Sequence, residues 1–327
     1  MRPGGHPGVH RHQADRPRRQ LLGSARPIMT ATLTLSHRTH YAYQLPVSQS
    51  RQLLRLTPRQ APGQRILSTH IEVSPQPQEL ATRLDAFGNQ LTALLILEEH
   101  RALDIEAEAQ IELVPTDRID LQASPSWEHT AERLQAPIDG PSWEAAQFCY
   151  PSPRVTLDGA LDFCRDLFAP RRSVLDIGWR LCERIFNSIE YCEGVTSVST
   201  PVAEVFSHRQ GVCQDFAHAA IACLRTHGLA ARYVSGYVRT RRRQGAVEGD
   251  ASDASHAWFS VWCPKFGWTD FDPTNNQQPR QSHVTLAWGR DYGDVSPTIG
   301  FIQGGGEQTL EVAVQVTEQS SDDAPTQ

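Results

Sequence analysis

From Ala31 to about Leu113, apolar and polar residues alternate in short runs: TLTLSHRTHYAY, RQLLRLTP, ILSTHIEVSP, LTALLILEE and LDIEAEAQIEL, punctuated by Pro, Gly and Asn. A period of two with such punctuation predicts short antiparallel strands, and hence a sandwich or barrel. Residues 114–150 lose this period, gain Pro, Ser and acidic residues, and read as a connecting segment with one short helix. Helical spacing follows around Leu157–Phe168, then over Val174–Ile189, where Ile177, Leu181, Ile185 and Ile189 recur every fourth residue. Thr200 before Pro201 marks a third helix start. A fourth helix is written in GVCQDFAHAAIACLRTHG: Phe216, Ala217, Ala220, Ile221 and Leu224 share a face, and Gly228 suits its end. Strands at Ala231–Arg239, His256–Cys263 and Trp268–Phe271 complete an α+β pattern.

The fourth helix begins at Cys213. Free N–H groups and the macrodipole at a helix start favour thiolate over thiol, which makes a cysteine there a candidate nucleophile. Downstream, HAWFSVWCPKFGWTDFDPT predicts a hairpin turning at Pro264–Gly267. Folding about that turn brings His256 opposite the region of Asp272 to Asn275, within a slip of one or two residues. A histidine beside a carboxylate can withdraw the thiol proton and protonate a leaving amine, while the carboxylate fixes its tautomer and steadies the imidazolium.

GVCQDFAHA around Cys213, ARYVSGYV from Ala231, HAW at His256 and FDPT at Asp272 occur in the order used by papain-like cysteine acyl-transfer enzymes, and the chain resembles the transglutaminase-like superfamily. YAYQLPVSQSRQLLRLTPR from Tyr41 and DAFGNQ from Asp85 resemble the β-rich N-terminal domain of its bacterial members, and GRDYGDVSPT from Gly289 resembles a C-terminal signature of that group. The resemblance implies a papain-like or transglutaminase-like core, helices packed on an antiparallel sheet, preceded by an all-β sandwich-like domain. It also implies Cys213, His256 and Asp272 as catalytic residues acting on an amide through a thioester. Whether water or an amine resolves the thioester stays open between a peptidase, isopeptidase or deamidase and a transglutaminase. Hydrolysis is favoured because nothing in the sequence specifies an acceptor lysine site. A non-catalytic binding module on the same fold, and a metal site built from the same three residues, are the competing classes.

The expected division is a disordered basic extension (1–28), the N-terminal β-domain (29–113), the connecting segment (114–150), the catalytic core with its C-terminal strands (151–316) and a disordered tail (317–327). The extension holds six arginines against Asp15 alone and precedes Met29. With 31 Lys and Arg against 37 Asp and Glu, a net charge of −6 excludes electrostatic nucleic-acid binding. Seven cysteines, an odd number without CxxC spacing, argue against a disulfide framework or zinc knuckle. No apolar run reaches the roughly 18 residues of a membrane span and no signal peptide is apparent, so a cytoplasmic protein with a protein or peptide amide substrate, no membrane partner, no metal and no cofactor is expected.

Other residues are weighed against ordinary roles. An oxyanion donor is needed. The Cys213 N–H is one candidate, and Gln210 and Tyr191 are side-chain candidates between which the sequence does not choose. Trp258 either walls the cleft or packs beneath the sheet. His218, about 140° around the helix from Cys213, is expected to be structural, and Asp215 to cap the helix. Cys164, Cys182 and Cys223 are expected in the core. The segment RTRRRQGAVEGDASDAS reads as a solvated loop or a lid leading into His256.

Overall fold

The computed structural model describes residues 30–239 and 255–318. The basic extension at 1–28, most of the Arg239–Ser255 loop and nearly all of the C-terminal tail lie outside the described residues.

The N-terminal part is built on one long strand, β1 (Ala31–Leu54), followed by β2 (Gln64–Ser74), β3 (Glu79–Leu84), β4 (Gln90–Ile96) and β5 (His100–Leu113). The first two alternating runs of the sequence thus form one strand. Along Ala31–Ala42, β1 pairs with β5, and along Ser50–Leu54 it pairs with β4. Pro46, which has no N–H to give a ladder, falls between those two pairings, where the register shifts. The exposed strand β3 was not legible as a strand, since none of its six residues is buried.

A helical segment follows: α1 (Trp127–Gln135) and α2 (Gly140–Ala146), then α3 (Ala160–Cys164) and α4 (Val174–Ser188). The two-residue strands β6 (Glu190–Tyr191) and β7 (Gln210–Gly211) flank α5 (Val202–His208), and α6 runs from Cys213 to Arg225. Helix α5 begins one residue later than the Thr200 cap predicts, because Pro201 occupies the cap and Thr200 Oγ1 accepts from Ser197 N instead. The strands β8 (Ala231–Val238), β9 (Ser255–Cys263), β10 (Gly267–Phe271) and β11 (His283–Gly289) form a four-stranded antiparallel sheet in the order β10-β9-β8-β11. After α7 (Tyr292–Val295), β12 (Thr298–Gly304) and β13 (Gln308–Glu318) return to the first sheet and pair with the free edge of β1. The sequence reading groups these last strands with the core. Alternation shows that a segment is a strand, and says nothing of which strand it joins.

The four-stranded sheet is covered on both faces. Tyr233, Ala257, Phe259, Val261 and Phe271 pack against α4 and α6 in one core, with Ile177, Leu181, Phe216, Ala220 and Ile221. Tyr237, Val284 and Leu286 pack against Leu33, Leu35, Ile111, Val314 and Val316 of the N-terminal sheet. Burying either apolar face removes area from water at about 25 cal/mol per Å². Gly178 lets α4 approach closely, since a Cβ there would stand 2.8 Å from the Phe271 ring. Two side-chain amides finish the junction by mimicking a strand along β11. Gln64 exchanges bonds of 2.7 and 2.8 Å with Thr285 O and N, and Asn89 exchanges bonds of 2.8 and 2.9 Å with Trp288 O and N. The edge of β11 is thereby covered. Among the described residues no helix is long and apolar enough to cross a membrane, a statement that does not extend to β-barrels.

Candidate active site

Helix α6 starts at Cys213 because two local devices hold its first turn. Asp215 Oδ2 accepts the Val212 N–H at 2.9 Å and the Thr196 hydroxyl at 2.7 Å, the cap expected of it. Gly211 makes that closure feasible, since a Cβ there would lie 2.8 Å from Asp215 Cβ. Burial raises the Asp215 carboxyl, against hydrogen bonds from Val212 and Thr196 that lower it. Cys213, half-buried, opens the helix with an N–H that has no carbonyl one turn earlier to receive it.

Strand β9 brings His256 to the same place. Its Nε2 lies 2.9 Å from Asp272 Oδ2, and the ring shares a cleft with Cys213, whose sulfur helps raise its pKa; with Nε2 engaged, Nδ1 is the nitrogen left to address that sulfur. Asp272 follows directly on β10, whose register against β9, Phe271 opposite Phe259, sets the carboxylate on the face that carries His256. The sequence-predicted trio is thus assembled in one place.

Asp272 is fully buried and its carboxylate is saturated with donors. Oδ1 accepts from Thr274 N at 3.0 Å and Asn275 N at 3.2 Å, while Oδ2 accepts from His256, from Asn275 Nδ2 at 2.7 Å and from His283 Nε2 at 3.0 Å. Burial alone would raise this carboxyl, but the bonds from His256 and His283 hold it far below the usual range. Burial likewise pulls His256 down, and the Asp272 carboxylate and Cys213 outweigh it, lifting the imidazole to about 9. The geometry therefore favours an imidazolium at neutral pH between a carboxylate and a sulfur.

His283 was not singled out from the sequence, and Asn275 was named only as the far end of the region expected to face His256. Asn275 lies three residues beyond Asp272 in an Asx-type turn, a signal present in DPTN. His283 sits in an ordinary alternating strand, and it reaches Asp272 through the sheet order, which no local pattern reveals. The path is open because Gly236 has no side chain: a Cβ there would meet the Trp258 ring at 2.5 Å and Val284 O at 2.1 Å. His256, Asp272 and His283 also form a group whose ligand atoms lie within 4.8 Å of one another, a potential cation-binding set. Both Nε2 atoms, however, already address the same oxygen, so a metal would have to displace both hydrogen bonds.

The remaining candidates fall in different places. Trp258 does not wall the cleft. It is fully buried, donates from Nε1 to Asp270 Oδ2 at 3.2 Å and packs edge-on against His283 at 5.2 Å, so it supports the trio from behind. Gln210 bonds Glu190 Oε2 at 3.2 Å on the short β6–β7 pair and does not line the cleft. Tyr191, 48 % exposed, stands edge-on to Phe216, and burial with the nearby Cys213 raises its hydroxyl, keeping it a donor. His218 is buried, accepts Tyr292 N at 3.1 Å and is driven by burial down to about 3, a neutral structural group. Cys164, Cys182 and Cys223 are buried in the core.

Cys213 and His256 open into a cleft of about 420 Å³ at the junction of the two sheets. One wall comes from the core through Gln214, Tyr233 and Tyr292, and the facing wall from β1 and β13 through Thr39, Tyr41 and Val312. A thiol, an imidazole and a carboxylate in line at the edge of such a cleft are the parts of a cysteine acyl-transfer site.

Residues 33–112 match the family described as the bacterial transglutaminase-like N-terminal region, and residues 163–273 match the transglutaminase-like superfamily. The chain is 35% identical over 287 residues to the uncharacterized protein Rv2569c of Mycobacterium tuberculosis (strain ATCC 25618 / H37Rv), covering 86% of this chain and 91% of that one. It is 29% identical over 284 residues to the uncharacterized protein ML0607 of Mycobacterium leprae, covering 86% and 96%. The chain belongs to the transglutaminase-like superfamily, in the bacterial form with this N-terminal region. Its fold is similar to that of a crystal structure from Cytophaga hutchinsonii described as "a Putative Cysteine Protease", with a TM-score of 0.70 at 22% identity over 91% of this chain and 93% of that one.

Proposed function

We propose that the protein is a cysteine-dependent acyl-transfer enzyme that cleaves an amide of a protein or peptide through a thioester, with water as the acceptor. The observation that carries the reading is His256, bonded through Nε2 to the buried Asp272 carboxylate and lining the same cleft as the Cys213 thiol, which acts on its ring electrostatically. In this reading Cys213 Sγ attacks the amide carbon, and the N–H at the start of α6 receives the developing oxyanion. Tyr191 suits a second donor better than Gln210, because its hydroxyl lies within the electrostatic reach of Cys213. His256 gives its proton to the departing amine, leaving a Cys213 thioester. It then takes a proton from water, whose oxygen attacks the thioester carbon, and the acid leaves as the thiol is restored.

Hydrolysis is favoured over transfer to an amine because the described residues lining the cleft include no carboxylate that would hold an ammonium-bearing acceptor. The test is mass spectrometry of peptide and glutamine-donor mixtures incubated with the protein, with and without a primary amine. Cleaved peptides or glutamate products absent with Cys213→Ala are the expected result. Amine adducts in excess of acid would instead assign a transglutaminase, and neither product from any mixture would leave a binding module. Iodoacetamide at mildly acidic pH, followed by peptide mapping, should label Cys213 first. Burial pushes the competing Cys149 thiol up to about 12 and also raises Cys263.

A further inference from the structure

We propose that a second cavity at the sheet junction, bordered by Arg59, Arg232 and Trp288, binds an oxyanion, the carboxylate or phosphate of a small organic acid. The cavity measures about 750 Å³ and shares no lining residue with the cysteine cleft. Its floor is a ladder of cations and indoles. The Arg59 guanidinium carbon lies 3.1 Å from the Trp288 ring centroid, and that of Arg232 lies 3.6 Å from the same ring and 4.3 Å from the Trp268 ring.

Arg232 is 6 % exposed, and its Nε–H is buried without an acceptor among the described residues. Asp270 acts on it through space, but Asp270 Oδ2 already takes the Trp258 indole N–H. Cation–π contacts stabilise a guanidinium only modestly, less than a buried charge loses when its hydrogen bonds go unmade. Burial pulls Arg232 down to about 9, opposed by Asp270, so it stays charged at neutral pH.

The unpartnered polar groups around it share one property. Arg59 Nε, of a cavity-lining residue, and Ser260 Oγ, on the residue opposite Arg232 in the sheet, also lack partners among the described residues. All three groups can donate. Buried polar groups are ordinarily paired, and an excess of donors is what an acceptor-only oxyanion satisfies, best of all beside a planar guanidinium. Phe87, Phe148 and Trp268 supply apolar wall, so an organic acid fits better than a bare ion. The carboxylates of Asp117 and Glu144 also border the cavity but are exposed to solvent, as is the guanidinium of Arg280.

The experiment is isothermal titration calorimetry of the full chain with citrate and, separately, inorganic phosphate. At least one should bind saturably, with the pair of titrations telling carboxylate from phosphate. Arg232→Gln should weaken binding tenfold or more, exposed Arg280→Gln a few-fold, and Asp270→Asn should strengthen it by removing the competing carboxylate. Cys213→Ala should leave it unchanged. Dilution heat alone with both probes overturns the proposal. Equal affinity in the parent and the Asp270 and Arg280 variants overturns it as well, the signal then being an adventitious ion only. Those two variants decide the matter even if Arg232→Gln does not fold.

Discussion

The cysteine cleft and the arginine cavity both lie where the N-terminal sheet meets the four-stranded sheet, yet they treat buried charge in opposite ways. Around Asp272 every lone pair is claimed, by His256, His283, Asn275 and two backbone N–H groups. Around Arg232 charge is stacked on indoles while donors stay unpaired. The first arrangement holds a reactive group in one orientation with nothing added. The second is complete only with a ligand. Trp258 stands between them, donating to Asp270 on the arginine side and packing on His283 on the cysteine side.

The sharpest way to separate the two is Cys213→Ala. Turnover should fall by about 10⁴-fold or more, since Cys213 is the one thiol among the described residues lining the cleft with His256, while stability should change by less than about 1 kcal/mol because the side chain is only half-buried. Progress curves and urea denaturation measure the pair of effects. Retained turnover would remove the cysteine mechanism altogether.

Asp272→Asn should follow, with kcat/KM lower by about 10²–10⁴ and stability by about 3–5 kcal/mol, as two buried imidazoles lose their carboxylate. The pH dependence has a definite sign. His256 is lifted from 6.5 to about 9, so the stability from its pairing is fully present below about 6.5 and is lost as pH rises through about 9. Activity requiring the imidazolium should decline over the same alkaline window, and in Asp272→Asn that decline should move to lower pH. An unmoved alkaline limb would show that another group titrates there.

How far this site was legible from the sequence follows from the range of each contact. Cys213 and its helix depend on neighbours within a turn, and His256 and Asp272 on one hairpin, so periodicity and turn residues locate them. The structure starts α6 at Cys213 and turns the hairpin at residues 264–266. His283 was missed because β11 joins the sheet beyond β8, so its meeting with Asp272 crosses two strands. Trp258 could not be placed from alternation alone, since both faces of β9 are buried. Arg232 was hidden for the same reason: a charged residue in the apolar strand ARYVSGYV gives no sign of the indoles that β10 and β11 bring to it.

His283→Phe tests that missed contact. The variant keeps an aromatic ring against Trp258 but removes the bond to Asp272 Oδ2. As a positioning residue His283 should lower kcat by roughly tenfold and leave KM nearly unchanged, as happens when a metal-ligating side chain loses the hydrogen-bond partner that orients it. The alkaline limb should shift as well, which loss of packing alone would not produce. An unchanged profile with lowered stability would make His283 purely structural.

The smallest effect on chemistry is expected from Asn89→Ala, and it probes the comparison from the other side. Asn89 is fully buried, pairs with both backbone groups of Trp288 and accepts from Arg59. Removing the amide leaves the Trp288 N–H and carbonyl without those partners, at a cost of about 1–3 kcal/mol, and frees the indole that separates Arg59 from Arg232. Urea denaturation should register that loss and calorimetry a weaker citrate or phosphate interaction, while kcat stays within about twofold because Asn89 touches none of Cys213, His256 or Asp272. A fall in kcat as large as that from His283→Phe would mean that the two sites are coupled through Asp270 and Trp258, and their opposite treatment of charge would then belong to one device.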